Sequence, residues 1–421
     1  MNERLLHTPQ GVRDIYSLEW KKKDAVIQRL RRVLSLFGYQ DIMTPTFEYF
    51  DVFNSDTGTV TSQEMFKFFD RNNNTLVLRP DMTPAIARSV AKYYSDTTFP
   101  LRLSYEGSTF INHVAYQGKL TEKTELGAEH INDDSPEADA EAIIMMIDCF
   151  LEAGLEEFCI DIGEAGFYRT IMETIPVDDS VKARIHDHIE NRNSLAMELL
   201  LSEEKLESSF RQILLGYSEL FGDVSVLDEA VRLAPLPGCR KAIQRLREVY
   251  DVICHYGYEK YVRFDLGMVN HYDYYTGVIF QGYTYGTGDA IGKGGRYDNL
   301  LAKFGMKAPA IGFTILIDDL LAGLNRQKIP VSTKEYGYTV LLYDKEDRFE
   351  AISLASGMRM AGVRTELICR QEGKSNEEYG SFALDMGADT MIVLSGEEVI
   401  LQDFINRTRE KKSLKDFREE Y

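Results

Sequence analysis

Four carboxylates and a short run of hydroxyls hold most of the chemical potential of this sequence. Asp81 directly follows the apolar stretch TLVLRP (75 to 80), and Glu122, Glu125 and Glu129 recur within LTEKTELGAEH (120 to 130). A carboxylate buried on or beside a strand needs a cation or a hydrogen-bond donor. Such a set can accept an amine or an imidazolium, two of its members can work as acid and base, or all can be solvated strand-edge charges. Further on, VNHYDYYTG (269 to 277) ends in Tyr274, Tyr275 and Thr276 and contains no Lys or Arg. GKGGRYDNLLAKFG (292 to 305) is glycine-rich, yet it follows neither GxGxxG after a strand nor GxxxxGK[ST]. A phosphate cradle is therefore a weak reading there, and Gly294 and Gly295 fit close passage of the backbone by a neighbour or ligand.

These residues need a scaffold, and apolar periodicity supplies one. Val26, Leu30, Val33, Leu34 and Phe37 share a helical face that stops at Gly38, the usual terminator. TLVLRP predicts a strand running into Asp81-Met82-Thr83-Pro84, with Thr83 as N-cap and Pro84 in first position. Strands are also expected around the loop INHVAYQGKLTEK, at FCIDI, YVRFDLGM, GVIFQGYTYGTG and DAIGKGG, and IGFTILIDDLLAGL reads as strand into helix. A helical, acidic insertion is expected at about 172 to 255. Antiparallel strands with segregated helices define an α+β domain, expected over 1 to 325. After the linker-like NRQKIPVSTKE, residues 326 to 421 alternate as a small, mostly parallel α/β domain with a charged tail helix.

The formal charge is -19, and residues 331 to 421 carry 13 Lys and Arg against 18 Asp and Glu, a net of -5. Polyanion binders draw affinity from basic surfaces, so no nucleic acid is expected as the main partner. Five widely spaced cysteines without a CxxC pair suggest neither a metal site nor a disulfide framework. No apolar run approaches the roughly 20 residues that span a bilayer, and MNERLLHTPQG lacks a signal-peptide core. A cytoplasmic protein without membrane contact is expected.

Taken in order, six segments resemble histidyl-tRNA synthetase, a class II aminoacyl-tRNA synthetase, over essentially the whole chain. TPQGVRDIYSLEW is similar to that family's start, and GYQDIMTPTFE resembles motif 1 with Pro45 as its proline. LRPDMTPAIAR stands where LRPEGT is usual, and VNHYDYYTG and GKGGRYDNL resemble the two histidine-specific motifs. PAIGFTILIDDLL resembles motif 3, and the tail resembles the anticodon-binding domain. The resemblance implies a class II sheet with flanking helices. It also implies a histidine pocket in which Asp81 faces the α-amino group beside Thr83, and Glu125 replaces a glutamine on that group. Gly127 would leave room for the ligand side chain, Glu129 would meet the imidazole, and Tyr274 and Tyr275 would fit ring recognition.

Departures from the synthetase pattern concern cations. Ile111, Thr121 and Asn270 stand where arginines are usual, and Asp319 replaces the motif 3 arginine and would add repulsion. A charge-assisted hydrogen bond contributes roughly 1.5 to 3 kcal/mol. Losing even three of these four arginines thus removes on the order of 5 to 9 kcal/mol, or roughly a thousandfold to a millionfold in rate. A synthetase fold without its ATP arginines is similar to the ATP phosphoribosyltransferase regulatory subunit family, and LRPDMTPAIAR and DYYTGVIFQGY are closer to its usual wording. That resemblance implies a non-catalytic subunit with no cofactor or metal of its own. It implies a homodimeric core inside a hetero-oligomer with a short-form ATP phosphoribosyltransferase catalytic subunit, and L-histidine as effector. A divergent histidyl-tRNA synthetase is the alternative, favoured by the retained tail of about 90 residues.

Overall fold

A computed structural model describes residues 6–53, 60–113, 120–204, 206–217, 219–268, 274–333 and 337–418. Asn270 lies outside them. The chain divides into two compact units, Met1–Ser332 and Thr333–Tyr421, and the division falls in the linker-like stretch 325 to 335.

The first unit is built on a nine-stranded sheet. Its centre pairs Leu101–Phe110, Glu122–Ile131, Ala310–Leu316, Gly292–Arg296, Val278–Thr284 and Phe158–Glu164, every neighbouring pair antiparallel. Parallel pairing occurs only towards the edges, where Gln40–Asp41 joins Leu101–Phe110 and Val262–Asp265 joins Phe158–Glu164. Period-two alternation divides these strands into two faces. Leu126, Phe280, Ile311 and Ile315 turn into a core shared with Ile143 and Ile147 of the helix Pro136–Ala153 and Leu30 of the helix Ser17–Leu36. Glu125, Gly127, Glu129, Gly312 and Thr314 therefore occupy the opposite face. This single division separates packing from chemistry.

Local signals explain the helix ends. Ser135 accepts a hydrogen bond from the Ala138 amide at 3.1 Å, and Gly154 closes the same helix at φ 102°. Ser17–Leu36 ends before Gly38, which adopts φ 83°. The helical region begins at Ala165 rather than 172, because Glu164 accepts the Phe167 amide at 2.8 Å and caps a helix the sequence reading did not foresee. Helices then follow one another to His255, interrupted by a two-residue strand, Phe221–Gly222, that pairs with Val262–Asp265.

The second unit has a five-stranded sheet in which Arg364–Cys369, Tyr338–Tyr343 and Thr390–Ser395 are parallel. Glu398–Asp403 and Thr408–Ser413 then complete it as an antiparallel hairpin. The charged tail read as a helix is therefore mainly a strand, and only Leu414–Arg418 is helical. Asp403 accepts the Ile405 and Asn406 amides and turns the chain back, and Lys411 pairs across the strands with Glu398 at 2.7 Å. Cross-strand pairing of this kind offsets the poor strand propensity of a charged run.

One buried ionic knot ties helix to sheet in the first unit. Asp139, fully buried on Pro136–Ala153, accepts from Arg296 Nε at 2.8 Å and Arg245 Nε at 2.7 Å. Arg296 ends the strand Gly292–Arg296 and directly precedes Tyr297. Removing one partner of a buried pair leaves an uncompensated charge and typically costs about 3–5 kcal/mol. Asp139→Ala should lower the urea midpoint of the full chain by a corresponding amount, and an unchanged midpoint would deny the knot its structural role.

Candidate functional site

A cavity of about 240 Å³ opens on the polar face of the sheet. This lies below the roughly 300–1,000 Å³ of sites for drug-sized ligands. Strand register builds its floor. Tyr105 pairs with Gly127, Gly127 with Thr314, and Thr314 with Lys293, so four strands place these residues in one transverse row. Glu125 and Glu129 lie two residues to either side of Gly127 and share its face.

Asp81, Thr83, Glu125, Tyr274 and Tyr275, all marked from sequence, line the cavity together with Ile111 and Thr121. Thr83 does so by a different local route from the one expected. It is the first residue of the helix Thr83–Tyr93, not its cap, because Asp81 Oδ1 accepts the Thr83 amide at 3.1 Å. The Thr83 hydroxyl is thereby released and donates to Glu129 Oε1 at 2.8 Å. The Tyr275 ring lies against the Gly295 backbone, with Tyr274 tilted beside it at a centroid distance of 4.8 Å. Tyr274 in turn meets the edge of Tyr297 at 5.9 Å.

Two marked residues stand behind the wall rather than on it. Glu129 is 1% exposed and held between Thr83 and the Tyr297 hydroxyl, which donates to Oε2 at 2.5 Å. Its carboxylate lies over Gly312, where a Cβ would come within 1.7 Å. Gly127 makes room, but for Tyr105: a Cβ there would meet the Tyr105 hydroxyl at 2.4 Å and the Phe313 carbonyl at 2.2 Å. The space expected for a ligand side chain is filled by a tyrosine of the protein.

Sequence reasoning missed the groups that satisfy these acids. Thr109 donates to Glu125 Oε1 at 2.7 Å, and Thr314 to Oε2 at 3.1 Å. Tyr297 belongs to the quoted GKGGRYDNL motif, and its place within that motif was the available signal. Two lysines, Lys123 and Lys293, also line the cavity, so it is not free of cations. The expected repulsion from Asp319 is offset, since Lys123 pairs with it at 2.7 Å. Ile111 and Thr121 are neighbours, the Ile111 amide bonding to the Thr121 carbonyl at 2.9 Å. Two positions where the synthetase pattern has arginine thus lie together, and both hold neutral side chains.

Burial pushes Glu125 up to about 7, with nearby Asp81 adding to the shift and the threonine hydroxyls opposing it. Burial raises Glu129 to about 8, opposed by Tyr297 and Thr83. A carboxyl raised in the folded state binds more protons there than in the unfolded chain, so stability falls as pH rises through the folded pKa. The stabilising contribution is complete below the unfolded value near 4.5 and lost by about pH 8. The melting temperature should accordingly decline from about pH 5 to about pH 8.5, and the Glu125→Gln, Glu129→Gln double variant should show a shallower decline. An unchanged slope would mean that both acids are ionised across this range.

The central antiparallel sheet, the helix start at its mouth and the polar cavity define a class II, histidyl-tRNA synthetase-like protein. The histidyl-tRNA synthetase family profile matches residues 11–320. An ATP phosphoribosyltransferase regulatory subunit of Acetivibrio thermocellus is 37% identical over 87% of this chain and 88% of its own. The crystal structure of an ATP phosphoribosyltransferase regulatory subunit/histidyl-tRNA synthetase from Bacillus halodurans C superposes with a TM-score of 0.80 at 33% identity, covering 90% of this chain and 96% of that one. A histidyl-tRNA synthetase from Nostoc sp. PCC 7120 shares the fold at TM-score 0.77 with 18% identity, each chain covered to 99%. The chain belongs to the ATP phosphoribosyltransferase regulatory subunit family, on the histidyl-tRNA synthetase framework. Among the described residues no helix is long and apolar enough to cross a membrane.

Proposed function

We propose that this protein is the non-catalytic regulatory subunit of an ATP phosphoribosyltransferase, required for the first step of histidine biosynthesis in the cytoplasm, and that it binds L-histidine in the cavity as the feedback signal. The observation that carries this reading is the conjunction of amine acceptors, Asp81 and Glu125, and paired tyrosine rings with neutral side chains at Ile111 and Thr121. Such a pocket holds an amino acid's ammonium and ring while offering little to a triphosphate, whose transfer chemistry needs fixed cations or bound metal. Glu129 acts from behind, accepting from the Thr83 and Tyr297 hydroxyls and so fixing their oxygens at the cavity wall. The working assembly is a homodimeric core joined to short-form catalytic subunits, and feedback follows if histidine binds two assembly states with different affinity.

Mixing with a short-form catalytic subunit should restore phosphoribosyltransferase activity that the short form lacks alone, and histidine should suppress the mixture. Full activity and full histidine sensitivity of the short form by itself would defeat the proposal. Histidine-dependent exchange of pyrophosphate into ATP should be flat, and a robust signal would favour a divergent synthetase. In calorimetry, Tyr275→Phe should weaken histidine about tenfold, the equivalent of one hydrogen bond. Equal affinity would place the ligand elsewhere.

A further inference from the structure

Lys293 is a cation of the cavity that the packing does not pair, although its charge lowers the pKa of the buried Glu125. It lies on the central strand Gly292–Arg296, and its side chain lines the cavity. Register places it beside Thr314, whose hydroxyl is committed to Glu125. The other lysine of the wall, Lys123, is taken by Asp319. Among the described residues, by contrast, Lys293 forms neither an ion pair nor a hydrogen bond.

Isolation has a measurable cost for a half-buried ammonium. Burial holds Lys293 below the ordinary lysine range, and the positive charge of Lys123 lowers it further, against opposing pulls from Asp289, Glu125 and Asp319. Those acids are near enough to be felt and too far to pair. A half-buried cation in this condition gains from an anion delivered to it. Across the same floor Asp81 and Glu125 offer the opposite charge. The two poles match the two ends of one zwitterion.

We infer that Lys293 binds the α-carboxylate of the amino acid whose ammonium faces Asp81 and Glu125, replacing the arginine contacts that a synthetase makes to that group. The assignment rests on the proposed histidine pocket and deepens it. The pocket then selects an intact amino acid over its decarboxylated amine, and a single lysine suffices because one carboxylate carries one charge.

Calorimetric titration of the full chain with L-histidine and with histamine, which lacks the carboxylate, tests this. Wild type should prefer histidine about ten- to a hundredfold, the range of one charge-assisted hydrogen bond. Lys293→Met, which keeps an unbranched apolar stem, should lose that preference through weaker histidine binding, with histamine affinity unchanged as evidence of an intact pocket. Lys293→Arg should restore much of it. A preference that survives Lys293→Met would overturn the carboxylate assignment alone. A parallel loss of both ligands would overturn it too, assigning Lys293 to the integrity of the wall. No histidine heat with wild type would instead overturn the histidine reading of the cavity, and this assignment with it.

Discussion

The carboxylate of Glu129 must be buried and hydrogen-bonded at once, and much of the site is arranged around that requirement. Thr83 arrives from the start of a helix, Tyr297 from the residue after a strand, and Gly312 from the neighbouring strand, where any side chain would collide with the acid. Three distant segments are thereby fixed relative to one another. Each depends on a local choice elsewhere: Asp81 takes the Thr83 amide so that the hydroxyl is released, and the Asp139–Arg296 knot anchors the strand that carries Tyr297. An unsatisfied acid at this depth would cost several kcal/mol. The site is rigid for a thermodynamic reason.

Much of this was legible from residue types alone, because helices and strands announce themselves by period and end signals. The helix stopping at Gly38, the strand before Asp81 and the strand-into-helix unit Ala310–Leu316 with Ile317–Arg326 are of this kind. Register was not legible. Thr109 and Thr314 flank Glu125 only because two particular pairings bring them there, and each lies far from it along the chain or across a turn. Gly127 was read as room for a ligand because its neighbour across the sheet, Tyr105, was unknown. The tail was read as a helix because charge density outweighed the weak alternation of Thr408–Ser413, and only the partner strand Glu398–Asp403 resolves the competition. Asn270 lies outside the described residues.

Charge distribution in the cavity differs from what the missing arginines alone suggest. Substituting Asp319 for a cation would fill the site with negative potential, but Lys123 cancels it locally. What remains among the described lining residues is acidic charge at Asp81, Glu125 and Asp289 and a basic pole at Lys293, set within a space of about 240 Å³. Several negative charges on a triphosphate require several fixed cations. The same field serves a zwitterion well, since each pole meets one opposite charge.

A pocket of this kind separates recognition from catalysis. Activation chemistry needs groups that bind the transition state more strongly than the ground state, and neutral Ile111 and Thr121 give no such discrimination to a reacting phosphate. With the proposed contacts to the bound amino acid kept, ligand binding would retain its free energy and have no reaction into which to channel it. That free energy is then available to bias one conformation or assembly over another, and a differential affinity of only 1.4 kcal/mol shifts such an equilibrium about tenfold. The raised acids add a second lever, because an incoming cation favours their ionised forms and releases protons. On the proposed function, losing cations from a synthetase pocket would remove its chemistry while leaving intact the means by which an amino acid can report its own concentration.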